Sequence, residues 1–278
     1  MMGRMDVAVL EVGGSHVTAA VVSPGGWDVT VVDRVKLESQ EAPEAVVGQL
    51  AAVARKLPLA SGLAVALPGP FDFATGVAWY RNQGKFDQLY GYNLGESLGA
   101  ELALDRLMFM NDAEAFAVGE WTAGEVREVE RCVGVTIGTG IGTAFLADGR
   151  VVREGESVPP GGELYKTSYD GKPLEDSISA RAILRAYPDP VPGVKEVADL
   201  ARTGDPVGQG VLETAFTHLA SALTPWIDRF GVTRTVLGGS ISGAFDLVES
   251  VFDFPVAATK DTEHSALIGA AAHYLRSS

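Results

Sequence analysis

Val133-Gly134-Val135-Thr136-Ile137-Gly138-Thr139-Gly140-Ile141-Gly142-Thr143-Ala144-Phe145 places β-rich apolar runs on both sides of three glycines spaced two apart. The second run leads on to an Asp148-Gly149 turn. The pattern predicts a hairpin whose tip has no side-chain bulk, so the backbone at Gly138, Thr139, Gly140 and Gly142 can approach a phosphate closely. It also fits an ordinary tight hairpin. A second hairpin of the same kind near the start of the chain favours the phosphate reading. There Asp6 to Leu10 reads as a strand, Glu11-Val12-Gly13-Gly14-Ser15-His16 as a turn, and Val17 to Val22 as the returning strand.

Composition narrows the class. The chain has 278 residues, 46% of them hydrophobic and 21% charged, which is globular usage, and its 33 glycines suggest many tight turns or ligand loops. A formal net charge of −14 argues against general nucleic-acid or anionic-membrane binding. The single cysteine, Cys132, leaves no internal disulfide and no cysteine cluster for zinc, and is read as buried and inert. No apolar run has the ~20 residues needed to span a bilayer. The expectation is a cytoplasmic protein without membrane or nucleic-acid partners.

Working outward from the two hairpins, Val29 to Leu37 reads as a third strand, which makes the first three an antiparallel meander. Helices are predicted over Glu44 to Arg55, Leu94 to Leu102 and Ala113 to Trp121, with strands at Gly62 to Leu67 and Leu107 to Met110. Phe71 to Tyr92 is turn-rich and aromatic and reads as a substrate loop. The second half repeats the order: a short strand at Arg150 to Val152, helices over Leu174 to Ala186, Val194 to Thr203 and Pro206 to Phe230, and a strand at Thr233 to Leu237. A helix from about Gly243, a strand at Val256 to Ala258 and a helix over His264 to Leu275 close the chain. Strands and helices alternating in this way predict a mixed α/β architecture. No short-period repeat is visible in the residues, so any duplication is structural.

In this order the motifs resemble the ROK family of bacterial sugar kinases, within the actin/hexokinase-type ATPases. The family's first phosphate motif matches Glu11-Val12-Gly13-Gly14-Ser15, and its Pro-Gly loop matches Pro68-Gly69-Pro70 with Asp72 and Gly76 following. Its Asn-Asp-x-x-Ala stretch matches Asn111-Asp112-Ala113-Glu114-Ala115, and its second phosphate motif matches Thr136 to Gly142. The adenosine turn matches Leu237-Gly238-Gly239-Ser240-Ile241-Ser242, and the closing helix matches Ala266 to Ala271. The resemblance implies a two-lobed, ribonuclease H-like α/β fold. A small lobe would comprise residues 1–112 with 265–278, and a larger one residues 113–264. It also implies ATP and Mg²⁺ as cofactors, sugar and nucleotide as small-molecule partners, and a homodimer.

The sequence departs from the family in the sugar-binding stretch. Where the family has Gly-Glu-x-Gly-His and then a cysteine cluster, this chain has Gly162-Glu163-Leu164-Tyr165-Lys166 and no cysteines, so no structural zinc is expected. Leu174-Glu175-Asp176-Ser177-Ile178-Ser179 follows. Some family members, similar to the polyphosphate-using glucokinases, also lack the cysteines, so their absence does not exclude kinase activity; the donor stays open between ATP and polyphosphate.

Roles follow from the chemistry that phosphoryl transfer needs. Asp112, just past a strand end, is the candidate general base; the competing reading is that Asn111-Asp112 caps the following helix. Gly13, Gly14 and Ser15 would donate to the transferring phosphate, and Gly238, Gly239 and Ser240 would hold the adenosine side. Mg²⁺ would be held through the nucleotide phosphates and Glu11, which stands where the family has aspartate. Gly69, Asn82, Asn111, Glu163 and Glu175 are candidates for the sugar. Lys166 reads either as an ion-pair partner of the glutamates or as a residue that alters substrate choice. His16 is read as exposed, and His218, His264 and His273 as structural members of helices. The expected activity is transfer of the γ-phosphoryl to a primary hydroxyl of a hexose, glucose by default. The alternatives are a cyclitol or modified-sugar kinase and a non-catalytic sugar sensor.

Overall fold

A computed structural model describes residues 5–277. The chain divides into two compact units. One contains the residues up to Gly119 and those from Glu263 onward, and the other runs from Glu120 to Thr262. The sequence places these breaks at 112 and 264; the compact units separate inside a helix at the first and two residues earlier at the second.

In the first unit β1 (Val7–Val12), β2 (His16–Ser23) and β3 (Asp28–Lys36) form the antiparallel meander that the short turns dictate. The chain then passes through α1 (Pro43–Ala54) to β4 (Leu63–Leu67), which joins β1 in parallel. A two-residue ribbon, β5 (Phe71–Asp72) with β6 (Val77–Ala78), and then α2 (Leu94–Leu102) precede β7 (Leu107–Asn111), parallel to β4. Spatial order is β3-β2-β1-β4-β7, and α3 (Asp112–Ala123) leaves directly from the end of β7. β4 is buried along its whole length, which is why it reads as an unbroken apolar run. Leu10, Leu50, Leu63 and Leu94 meet in one core, each contributing about 1.5–3 kcal/mol by burial.

The second unit has β8 (Arg131–Ile137), β9 (Ile141–Ala147) and β10 (Arg150–Val152), again an antiparallel meander. A ribbon of β11 (Ser168–Tyr169) and β12 (Lys172–Pro173) leads to α4 (Glu175–Ile178), α5 (Ala180–Ala186), α6 (Val194–Arg202) and α7 (Pro206–Phe230). β13 (Arg234–Gly238), α8 (Phe245–Val248) and β14 (Val256–Ala258) complete it. The order β10-β9-β8-β13-β14 repeats that of the first sheet, with β13 parallel to both β8 and β14. Phe145, Phe216, Leu219 and Leu237 lie in its core. α7 is bounded by chemistry visible in the residues. The Asp205 carboxylate accepts from Val207 N and Gly208 N at 3.0 and 3.1 Å, Pro206 opens the first turn, and left-handed Gly231 ends the helix.

The chain returns to the first unit in α9 (Thr262–Arg276), which crosses α3 with no side chain between the two backbones. A Cβ at Gly119 would overlap the Ser265 carbonyl, and one at Gly269 would overlap that of Ala115. Only glycine permits this approach.

The predicted helix over Leu174 to Ala186 is two helices. The chain breaks at Ser179, which is extended and uses its hydroxyl to accept from Ala182 N at 3.3 Å, capping α5. A serine inside an apolar-periodic run competes for backbone donors and starts a new helix. The helix predicted from Gly243 is a 3₁₀ turn at Ser242–Ala244 followed by the four-residue α8. Both two-residue ribbons are too short to leave a period in the sequence. At the edges of the sheets, β10 and β14 are three residues each, whereas β3 is nine residues long and carries Asp28, Asp33, Arg34 and Lys36.

Candidate functional site

In the first unit the turn Gly13-Gly14-Ser15 joins β1 to β2 and is closed by Gly13 N donating to His16 O at 2.9 Å. Ser39 Oγ donates to Gly14 O at 2.6 Å and fixes the turn from outside. The side chain of Lys85 lies against Gly14. Lys85 was not singled out from the sequence. It sits in a loop held by its own side chains, with Gln83 N and Gly84 N donating to the Asp87 carboxylate at 2.8 and 3.0 Å and Phe86 N to Ser39 O at 3.0 Å. The signal that could have found it is a lone lysine beside a glycine in the loop read as substrate-binding. Asn82, in the same loop, is exposed and left-handed, with φ of 57°.

Asp112 opens α3 at the end of β7. The cap and the carboxylate readings are compatible. Asn111 Oδ1 accepts from Ala113 N and Glu114 N at 3.0 and 3.2 Å, and Asp112 Oδ1 from Ala113 N at 2.8 Å. Burial pushes the Asp112 carboxyl above the usual carboxylate range, and the Lys85 ammonium pulls it back. A partly buried carboxylate displaced toward neutrality and opposed by the Lys85 ammonium suits general base chemistry. Asn111 Nδ2 is oriented toward Gly69, and Tyr80 Oη, buried, donates to Pro68 O at 2.6 Å, steadying the Pro68-Gly69-Pro70 loop.

Glu11 is a second perturbed acid of this unit. Burial pushes its carboxyl up to about 8, the charges of Asp112 and Glu263 add to the rise, and Arg34 opposes it. Its Oε2 is buried and has no hydrogen-bond partner. An orphaned buried carboxylate oxygen fits a residue whose partner is a cation supplied with a ligand. His16, expected to be exposed, is instead only partly open and engaged: Arg34 Nη2 lies 2.8 Å from its Nε2 and Ser15 Oγ 3.2 Å from its Nδ1.

In the second unit, Gly138 N donates to Gly140 O at 2.9 Å, which tightens the hairpin tip and leaves Thr139 exposed. Gly142 lies inside β9, opposite Thr136. Glu175, a sugar candidate from the sequence, accepts from Ile141 N at 2.9 Å through Oε1, and a Cβ at Gly140 would overlap that oxygen. Ala180 N donates to Gly138 O at 2.8 Å, so the tip is held from α4 and α5. Gly238, the last residue of β13, pairs with Thr136. Beyond it Gly239 N donates to Thr262 Oγ1 at 2.7 Å, Ile241 N to Ile137 O at 3.1 Å, and Ser240 Oγ lies beside Gly138. The hairpin tip and the Gly238-Gly239-Ser240 turn are therefore neighbours.

Glu163 and Lys166 form an ion pair, and the lysine ammonium is 5.8 Å from the centre of the Tyr165 ring. The segment is tied to β9 by Thr143, whose Oγ1 donates to Gly162 O and accepts from Leu164 N, both at 2.8 Å. Lys166 thus shields the Glu163 carboxylate rather than standing apart from it. Cys132 is buried, and burial pushes its thiol up to about 12. A cavity of about 460 Å³ beside α5 and α7 is lined by Ile183, Val211 and His218 among others and contains none of the predicted site residues.

Among the described residues, no helix is long and apolar enough to cross a membrane. A family model described as "ROK family" matches residues 7–273. The chain is 25% identical to a glucokinase of Thermotoga maritima, covering 97% of each chain. It is 24% identical to a beta-glucoside kinase of Listeria innocua, over 86% of this chain and 83% of that one. Among solved structures, a ROK family glucokinase from Streptomyces griseus in complex with glucose and AMPPNP superposes with a TM-score of 0.77 at 17% identity, covering 98% of this chain and 100% of the other. The architecture is accordingly the two-domain, actin-like ATPase fold.

Proposed function

The chain belongs to the ROK family, and from that premise we propose that it is a kinase transferring the γ-phosphoryl of ATP to a primary hydroxyl of a hexose, with glucose the first substrate to test. The observation that carries the reading is Asp112. It is a partly buried carboxylate just past the end of β7, raised by desolvation and countered by Lys85, which itself lies against the Gly13-Gly14-Ser15 turn.

In this reading Asp112 accepts the proton of the attacking hydroxyl as the new O–P bond forms and ADP departs, and later releases that proton to solvent. Lys85 keeps the carboxylate ionised enough to act and offsets the charge of the transferring group. Gly13, Gly14 and Ser15 donate to that group. Gly138, Thr139 and Gly140, with Gly238, Gly239 and Ser240, take the nucleotide, and the Glu175 bond to Ile141 keeps the tip in shape to do so. Glu11, with its unpartnered Oε2, is the residue that would hold a Mg²⁺ brought in with the nucleotide, and that ion would neutralise charge on the phosphates.

Candidates for contact with the sugar are Asn111, Asn82 and Gly69 in the first unit and Glu163, paired with Lys166, in the second. The pair favours a neutral polyol over a cationic amino sugar, since the Lys166 ammonium already sits on the Glu163 carboxylate. A cyclitol or modified sugar satisfies the same groups.

The deciding measurement is sugar-dependent ADP release over glucose, mannose, fructose, a β-glucoside and inositol, with ATP and polyphosphate compared as donors and Asp112→Ala as control. Glucose-dependent release lost in Asp112→Ala supports the reading. Sugar binding without release from the wild type replaces it with a sugar sensor.

A further inference from the structure

We propose that in the nucleotide-free chain Glu11, His16 and Glu263 form a binding site for a divalent transition-metal ion, which would hold the Glu11 carboxylate that the kinase reading sets beside Mg²⁺ once nucleotide is bound. One donor atom of each residue lies within 4.8 Å of the other two. His16 Nε2 and Glu263 Oε2 are 3.6 Å apart. Six ligands at ~2.1 Å from a metal are about 3.0–4.2 Å from one another, so small side-chain adjustments close the set.

Each ligand is prepared. Glu11 Oε2 is buried with no hydrogen-bond partner, which is the observation that distinguishes this cluster from exposed acids that happen to be near each other. Thr18 Oγ1, itself buried, donates to Glu263 Oε1 at 2.8 Å and leaves Oε2 toward His16. Ser15 Oγ sits 3.2 Å from His16 Nδ1, which turns Nε2 toward the carboxylates. Metal-ligating side chains are oriented by such outer hydrogen bonds. Two carboxylates and one imidazole suit Mn²⁺, Co²⁺ or Zn²⁺ better than Mg²⁺, which prefers oxygen ligands alone.

Arg34 holds the place of the ion. Its Nη2 is 2.8 Å from His16 Nε2 and 3.2 Å from Glu263 Oε2, so one guanidinium nitrogen bridges two of the three ligands. Its side chain is 56% exposed and has solvent to move into. A dication replaces this single positive charge with two and also satisfies Glu11, which the guanidinium leaves without a hydrogen bond.

The test uses the full chain stripped with chelator, without sugar or nucleotide, so it is independent of the kinase reading. Co²⁺ is titrated by its visible ligand-field absorption and Zn²⁺ by calorimetry. Saturable binding of one ion per chain is expected. His16→Ala and Glu263→Gln should each weaken it by more than about tenfold, whereas Arg34→Ala, which removes the competing cation, should tighten it severalfold. Circular dichroism and thermal melts confirm that each variant is folded. The proposal is overturned if the wild type shows no saturable Co²⁺ spectrum, if folded His16→Ala binds as well as wild type, or if Arg34→Ala weakens binding like the ligand variants.

Discussion

Glu175 Oε1 accepts a hydrogen bond from Ile141 N–H at 2.9 Å, so a carboxylate at the start of α4 braces the exit of the glycine hairpin. The brace joins residues well separated in the chain and gives Glu175 a positional role beyond any contact with sugar. Glu175→Ala leaves that N–H without its partner and is expected to lower stability by about 1–3 kcal/mol. It should also raise the KM for ATP more than it lowers kcat. Glu175→Gln, which still offers an acceptor, should recover most of both. Urea denaturation and steady-state kinetics on the two variants check this.

Asp112→Asn removes the base and keeps the shape. Asparagine can still accept from Ala113 N, so the melting temperature should be little changed. The rate constant for transfer should fall about 10²–10⁴-fold, with sugar affinity by calorimetry within a few-fold of wild type.

Lys85→Met removes the cation that pulls the Asp112 carboxyl down against its burial. The base must be deprotonated to act, so a higher carboxyl pKa moves the acidic limb of the kcat/KM profile to higher pH. An unmoved limb would separate Lys85 from the titration of Asp112.

Glu11 makes stability depend on pH. Its folded-state pKa is raised from 4.5 to about 8, so the native state holds a proton that the unfolded chain has released within that window. The contribution is intact below about pH 4.5 and is lost as pH rises through 8. A tenfold difference in proton affinity between folded and unfolded chain is worth about 1.4 kcal/mol. Glu11→Gln, which cannot ionise, should therefore be several kcal/mol more stable than wild type at pH 9 and nearly equal at pH 5. Denaturant midpoints at the two pH values check the difference.

Gly119→Ala and Gly269→Ala each set a methyl group against a carbonyl at the α3–α9 crossing. Both should destabilise by about 1–3 kcal/mol or more, because neither backbone has room to yield locally. Thermal melts read the effect directly.

Much of the architecture was legible where local chemistry marks an element's ends. α2 begins at Leu94 because Asn93 caps it, accepting from Glu96 N at 2.9 Å, and α7 is bracketed by Asp205-Pro206 and Gly231. The glycine turns were legible because each glycine cluster lies between two apolar runs, and the Glu163–Lys166 pair because the two residues are three apart in the chain. The break at Ser179 was not, since an apolar period runs through it on both sides. Glu175 on Ile141, Lys85 on Gly14 and Glu263 beside His16 were hidden for another reason: each joins distant stretches, and only the folded sheets bring them together. The repeated strand order was invisible because topology carries it and residue identity does not.

The long free edge of the first sheet decides how the folded chain meets its own copies. Among the described residues no strand pairs with the outer side of nine-residue β3, and Val31 and Val32 are exposed on it, an arrangement that invites strand addition and fibrous association. Asp28, Arg34 and Lys36 are exposed along the same edge, Asp33 is paired with Lys56, and the register with β2 shifts at Ala19/Ala20. An incoming flat strand would have to desolvate those charges and match an irregular twist. The three-residue edges of the second sheet, β10 and β14, offer too few bonds to seed such growth. The charges along β3 and the shortness of β10 and β14 therefore guard the margins of the two sheets against such addition, and neutralising Arg34 and Lys36 together would remove part of that protection.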